Sequence, residues 1–252
     1  MASISLTRPP FAEASNHLLP NGWCVLSHPD EAWIGRIGET ITRVEGKVAA
    51  LLEQGAKEFQ ERVTEPGPEV WVYKDLGAVW AGYQISVDGR EVGRGVNLFG
   101  LHRKTEGWKI SGIADTQAKL GAELEQISKV APPSLMAPID DFLQSMTNHK
   151  WEKMLSYCLR GGGITNSRRS MDLLVSSTWP ELIARLKSMM DGSPPRLVYE
   201  ILFDIEARVC GNIGFLWTPF KMDTSGQTTN KGVNIFTLVP ISGCQDTSMP
   251  IS

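Results

Sequence analysis

The chain carries no run of lysine or arginine, and its net charge is only −3. It therefore offers nothing like the basic surface that a nucleic-acid backbone requires. No apolar stretch approaches the roughly 20 residues that span a bilayer, so no membrane partner is expected. The opening "MASISLTRPPFAEASNHLLP" has neither the charged start nor the continuous apolar core of a secretion signal. Cysteine is scarce and unpatterned. Cys24, Cys158, Cys210 and Cys244 show no C-x-x-C spacing and read as reduced, small core hydrophobes of a cytoplasmic protein. There is no G-x-G-x-x-G after a strand, no phosphate-binding G-x-x-x-x-G-K, no H-E-x-x-H and no G-x-S-x-G. "RGGGITNS" (Arg160 to Ser167) is glycine-rich but follows a helical stretch rather than a strand. Nucleotide, metal and covalent-serine mechanisms are left without support, and no cofactor is expected.

What the chain does have is a repeat. "GVNLFGL" (Gly95 to Leu101) returns 137 residues later as "GVNIFTL" (Gly232 to Leu238). At the same offset Gly77 meets Gly214, Trp80 meets Trp217, Tyr83 meets Phe220, Gly89 meets Gly226 and Arg94 meets Lys231. "ISGIADT" (Ile110 to Thr116) answers "ISGCQDT" (Ile241 to Thr247) at an offset of 131, because the hairpin "HRKTEGWK" has shrunk to "VP". So long a period cannot be a solenoid and means two copies of one domain. A chain of 252 residues, 42% hydrophobic and 21% charged, can bury two modest cores.

Each copy reads as helices first, then sheet. In the second, "PIDDFLQSMTNHKWEKMLSYCLRG" has helical spacing over about 137–160. "SSTWPELIARLKSMMDG" is a second helix, with Thr178 as N-cap, Glu181 three residues on and Pro180 in the first turn. The first copy offers "GETITRVEGKVAALLEQG" as its helix. Only about twenty residues precede "NGWCVLSHPD", so the long opening helix is stunted there or replaced by another segment. Period-two apolar runs then predict antiparallel strands: "EVWVYKD", "GAVWAGYQISVDG", "VGRGVNLFGLHRK" and "GWKISGIAD", answered by "LVYEILFDIEARVCG", "NIGFLWTPFKMDTSG", "NKGVNIFTLVP" and "ISGCQD". The expected fold class is α+β, twice. Domain one covers 1–118 and domain two 137–252. The linker, 119–136, is expected to be a helix closed by Pro132-Pro133 and a candidate cap for the first sheet.

Trp80-Ala-Gly-Tyr83, Asp88-Gly89, Gly95-Val-Asn-x-Phe99-x-Leu101, Gly107-Trp-Lys-Ile110 and Asp115-Thr116 resemble the sheet half of nuclear-transport-factor-2-like domains, in their SnoaL-like branch. The second copy shares Trp217, Phe220, Gly226, Gly232-Val-Asn-x-Phe236-x-Leu238 and Asp246-Thr247 but lacks the Gly-Trp-Lys hairpin. The resemblance covers about half the chain and implies, for each copy, a cone-shaped cystatin-like α+β barrel with a pocket at its open end. Members are enzymes such as ketosteroid isomerase, scytalone dehydratase and polyketide cyclases, or transport and binding proteins, so the fold does not choose between them. Because such domains pair through their sheets, the tandem chain is expected to be its own pseudo-dimer, with a homodimer of chains as a further option.

Four residues are candidates for chemistry. Tyr83, replaced by Phe220 in the second copy, carries a hydroxyl wanted on one side only, to polarise a substrate oxygen; alternatively it is a rim residue. Asn97 shares a strand face with Phe99 and Leu101 and is either a fixed partner for a substrate or a satisfier of backbone in a turn. Asp115 ends a strand at the cone mouth, as a proton acceptor with raised pKa or as a turn cap. Arg36 binds an anion or enolate, or sits on a solvated edge strand. Trp71, Tyr73, Trp80, Phe99 and Trp108 are candidate walls for a rigid hydrophobic ligand, or simply core. His102 is expected at the surface. His149, Tyr157, Arg168, Arg169, Lys221 and Asp223 are the polar candidates of the second copy. Two functions follow as expectations. One is a cofactor-independent cyclase, isomerase or dehydratase acting on a polyketide or terpenoid intermediate of secondary metabolism, pericyclic cyclisation included. The other is a non-catalytic small-molecule binding or scaffold protein.

Overall fold

The computed structural model describes residues 4–6, 58–64, 67–118, 122–168, 173–192, 195–224 and 226–239. Expectations for Cys24, Arg36, the helix at 38–55 and the last strand with Cys244 and Asp246 lie outside the described residues. The described residues are α+β, with antiparallel sheets, few helices and no closed barrel among them.

The first sheet has six strands: β1 (Ile4–Leu6), β2 (Phe59–Val63), β3 (Glu69–Tyr73), β4 (Leu76–Val87), β5 (Arg90–Lys104) and β6 (Gly107–Gln117). Their order is β1-β2-β4-β5-β6, with β3 also on β4. Tight turns join β4 to β5 and β5 to β6. Asp88 and Gly89 both have positive φ in the first, and Gly107 does in the second, as hairpins with a right-handed twist require. Three helices follow: α1 (Pro133–Thr147), α2 (Trp151–Ser156) and, after the hairpin β7 (Gly163–Arg168)–β8 (Leu173–Thr178), α3 (Trp179–Met190). The second sheet holds β9 (Val198–Leu202), β10 (Glu206–Cys210), β11 (Ile213–Thr224) and β12 (Gln227–Leu238).

The two sheets repeat each other in detail. β3, β4 and the start of β5 coincide with β10, β11 and the start of β12 at an offset of 137. Tyr83 pairs with Gly95 as Phe220 pairs with Gly232, and both long hairpins carry a bulge at the same place, after Ile85 and after Met222. β2 and β9 match at an offset of 139, since Glu61 faces Ile85 as Glu200 faces Met222.

One face of each sheet packs against the other sheet. Trp71, Ala78, Trp80, Val96 and Leu98 meet Cys210, Ile213, Phe215 and Trp217 in a single buried cluster. Trp71 and Phe215 rings lie 4.8 Å apart. The polar rim of this seam pairs matching positions in both directions: Trp71 Nε1 donates to Glu206 at 2.9 Å, and the Arg208 guanidinium donates to both oxygens of Glu69 while lying 4.9 Å above the Trp71 ring. Positions 69 and 71 thus meet 206 and 208, the reciprocal pattern of a two-fold contact.

Removing the Arg208 side chain should therefore weaken the seam. Arg208 is only 7% exposed, whereas Glu69 keeps solvent and a second partner in Lys129. Arg208→Ala is expected to cost about 2 kcal/mol, below the range for a fully buried pair. It should also remove acid sensitivity. The Arg208 bonds hold the Glu69 carboxyl below its ordinary value, so this stability is present above the unfolded carboxylate value and fades as pH falls through the lowered one. Thermal melts of both proteins from neutral to acid pH test this.

Two expectations about the middle of the chain are corrected. The described part of the linker, 122–132, is extended rather than helical: Ser128 bridges Val209, and Leu124 and Ile127 pack against the seam. It seals the junction of the sheets instead of capping the first, and the helix begins at Pro133. The long opening helix is broken into α1 and α2, because His149 takes φ +55° and is tied to Asp191 (2.7 Å) and the Arg196 carbonyl (3.1 Å).

Candidate functional site

Side chains alternate across a strand, so the seam assigns the other face of each sheet. In the second half that face carries Ala207, Leu216, Phe236 and Leu238 and lies under α1, α2 and α3 through Ile139, Leu143, Met146, Met154 and Met190. α3 begins as its sequence predicts, with Thr178 and Glu181 forming a reciprocal capping box. In the first half the same face carries Glu61, Val63, Ala81, Tyr83, Gly95, Asn97, Phe99 and Asp115 by register.

Here the structure brings three of the four sequence candidates together. Ala81, Asn97 and Asp115 lie side by side on β4, β5 and β6, with Tyr83, Gly95 and Gln117 in the next such row. Gly95 explains how the tyrosine is placed. A Cβ there would stand 2.7 Å from the Tyr83 ring and 2.0 Å from the Thr116 carbonyl oxygen. The ring crosses the bare glycine and delivers its hydroxyl to β6, where it reaches the Thr116 carbonyl at 3.5 Å and hydrogen-bonds the Asp115 carboxyl. Phe220 crosses Gly232 in the same way, 2.8 Å from where a Cβ would be. The repeated Gly-Val-Asn is thus a seat for an aromatic ring followed by an amide two residues on.

That amide has an unforeseen partner. Asn97 Nδ2 donates to Glu61 Oε1 at 2.9 Å, and Asn234 Nδ2 donates to Glu200 Oε1 at 2.6 Å. Neither asparagine serves a turn, and the Asn97 amide is engaged by Glu61 rather than turned outward. Asn97 is therefore a positioning residue for a carboxylate. Sequence reasoning missed Glu61 because β2 and β9 match only after a two-residue shift.

The electrostatics favour stored protons. Desolvation raises the Glu61 carboxyl most, the Asn97 bond lowers it, and the neighbouring Asp115 charge raises it further. Asp115 keeps solvent on one side, but the protein around it raises its pKa, with the Tyr83 bond pulling the other way. Tyr83 is raised by desolvation first and then by both carboxylates, so its hydroxyl remains a donor. Two carboxyls raised above their ordinary values by burial, beside one phenol, form a site suited to accepting and returning a proton.

The remaining candidates are placed elsewhere. Trp71, Tyr73 and Trp80 belong to the opposite face, in or against the seam between the sheets, so they do not line this site. Trp80 is 2% exposed and enclosed there. Phe99 shares the site's face, as does Trp108, whose ring covers Gly77. Trp108 lies at the far end, roughly 20 Å along β4 from Tyr83, with Arg103 over its ring. His102 is buried rather than at the surface; its Nδ1 lies 2.8 Å from Ser111 Oγ, and burial lowers its pKa. Of the second half's candidates, His149 lines an open depression of about 450 Å³ with Trp151, Glu152, Lys150, Lys153 and Lys187. Tyr157 bonds Asp141 at 2.7 Å and Lys221 pairs with Asp223 at 3.5 Å. Burial pushes the Cys158 thiol up to about 12, and Cys158 and Cys210 are free. Among the described residues there is no group of three metal-ligating side chains and no helix long and apolar enough to cross a membrane.

Glu200 gives a stability prediction. Its carboxyl is raised by desolvation above the ordinary 4.5, with the Asn234 bond opposing. The folded state thus holds a proton that the unfolded state has released, so the stability linked to Glu200 is complete below 4.5 and lost as pH rises through the folded value. Glu200→Gln keeps an acceptor for Asn234 and removes the buried charge. It should raise stability at neutral pH by about 1 kcal/mol and flatten the decline that sets in as pH rises above 4.5. A melting temperature for Glu200→Gln below that of the wild type at neutral pH would contradict this.

Comparison with protein-family models, with curated proteins and with solved structures finds no match for this chain.

Proposed function

We propose that the chain is a cofactor-independent isomerase or cyclase acting on a hydrophobic small molecule, of the polyketide or terpenoid kind made in secondary metabolism. It is built as two SnoaL-like cones packed back to back, a pseudo-dimer in one chain. The observation that carries this reading is the Tyr83–Asp115–Glu61 cluster beside exposed apolar side chains. Val63, opposite Tyr83, is 58% exposed beside it, and Val70 and Val72 continue the same face toward the Gly77 end of β4, whereas Ala207, which matches Val70 in the second half, is buried under helices. An apolar bed with two carboxyls of raised pKa and one phenol suits proton transfer at a carbon next to a carbonyl. In this scheme one carboxylate removes the proton, Tyr83 donates a hydrogen bond to the carbonyl oxygen as charge develops there, and the new carboxyl returns the proton to another carbon. Atoms balance within the substrate, so no co-reactant is consumed. Asn97 fixes the Glu61 carboxyl in place.

A second reading, a non-catalytic binding module, draws support from the recurrence of the Glu61–Asn97 pair as Glu200–Asn234. A pair present on both sheets, one of them roofed by helices, suits architecture as well as chemistry.

Incubation with a small-molecule extract of the source organism, followed by native mass spectrometry and chromatography, separates the two. Conversion of a bound species to one of equal mass, or one lighter by a single water, supports the enzyme. A species that binds and is recovered unchanged supports the binding module.

A further inference from the structure

We propose that the outward face of β9 is a docking surface for a second copy of this chain, independently of the catalytic reading. From Leu197 to Phe203 every second residue is a large apolar side chain left in solvent: Leu197, Tyr199, Ile201 and Phe203 are 42–48% exposed. The alternate residues Val198, Glu200 and Leu202 are spent on the helix side, where Glu200 meets Asn234 and the two apolar residues pack under the helices. A strand with only one face to bury should be polar on the other, yet this strand is apolar on both.

The repeat shows that the sheet does not require this. β2 occupies the same place in the first half, and its residues matching Tyr199, Ile201 and Phe203 are Gln60, Arg62 and Thr64. The same framework thus carries a polar surface in one half and an apolar one in the other, and nothing in the strand pairing accounts for the difference.

Three observations point to a second copy as the occupant. Ile201 lies opposite Lys221, and Lys221, Pro219 and Trp217 alternate along one face of β11. The stripe is therefore continuous with the seam, in which Trp217, Val233 and Ile235 already pack sheet against sheet. The stripe also carries one aromatic residue on either side of Ile201, so a two-fold axis through Ile201 sets Tyr199 against Phe203 of the second copy. Finally, Lys221 and Asp223 flank it as a 3.5 Å ion pair, a border of both signs that complements itself on rotation. Four half-exposed side chains supply only part of the roughly 800 Å² per partner of a standard interface, so the dimer forms in the micromolar range rather than below it.

The test is native mass spectrometry and light scattering on the full chain up to about 100 μM, where a micromolar dimer is well populated. The expected result is twice 27.8 kDa for the wild type and a monomer for Ile201→Lys, with unchanged circular dichroism. Val130→Lys, at an apolar residue 74% exposed elsewhere, should remain dimeric. Should Ile201→Lys fail to fold, Ile201→Cys serves instead: mild oxidation should join two chains through the axis, and wild-type protein should not be joined. A wild-type chain that stays monomeric overturns the proposal. So does a dimer that survives Ile201→Lys, or an Ile201→Cys chain that dimerises without cross-linking.

Discussion

Gly95→Ala is expected to cost about 3 kcal/mol, the upper end for overpacking a closed site, while Gly232→Ala costs about 1 kcal/mol. The two glycines hold the same place in the repeat, but their surroundings differ. At Gly95 the added methyl would stand 2.0 Å from the Thr116 carbonyl oxygen, which is backbone, and 2.7 Å from the Tyr83 ring; at Gly232 the nearest atoms among the described residues are the far edge of the Phe220 ring, at 2.8 Å. A ring can tilt, but a carbonyl inside a sheet ladder moves only with its strand. Neither glycine has a positive φ, so the penalty is steric rather than conformational. A second substitution separates these causes. Phe220→Leu should recover most of the loss in Gly232→Ala, because the offending atoms are gone. Tyr83→Leu should recover little in Gly95→Ala, because the carbonyl remains. Denaturant melts of the four single variants and two doubles give the coupling directly. Equal costs at the two glycines, or full rescue at Gly95, would show that the ring alone sets the fit.

The contrast between these glycines marks how far the sequence can be read. The repeat, the α+β class and the long strands β4, β5, β6, β11 and β12 came through because period-two alternation and Asp-Gly turns are local signals, while "LVYEILFDIEARVCG" proved to be two strands, β9 and β10. The start of α3 was legible for the same reason: its capping box spans three residues. Features set by distant partners were not. The break after α1 depends on His149 reaching Asp191 and Arg196, more than forty residues on. The β7–β8 hairpin is too polar, in Thr165, Asn166 and Ser167, to show alternation. Tyr83, Asn97 and Asp115 were found because the two copies differ or agree there at a fixed offset. Glu61 was hidden by the two-residue change in offset, although "QERV" against "YEIL" would have exposed it. Trp71 and Trp80 were read as a wall because aromatic content carries no face. Ala81, not Trp80, lies beside Asn97, and that register is a long-range fact.

Tyr83→Phe should leave the protein folded and remove its activity. The second half already shows the substitution tolerated, since Phe220 crosses Gly232 as Tyr83 crosses Gly95. The lost bonds are a long one to the Thr116 carbonyl and one to a partly solvated carboxyl, so stability should change by about 1 kcal/mol or less. Turnover of the converted species should fall by about 10²–10³, the scale for a donor aimed at developing negative charge. A structural role would not move the pH profile, but a catalytic one must. The Tyr83 bond lowers the Asp115 pKa while burial raises it. Without that bond the carboxyl rises further, and the acid limb of the rate profile, where the base becomes ionised, moves to higher pH. Phe220→Tyr supplies the control. It should confer no activity, because the helices α1 to α3 cover that face. Activity of Tyr83→Phe within about threefold of wild type, with an unshifted acid limb, would remove Tyr83 from the mechanism and leave an architectural role as the better account of the cluster.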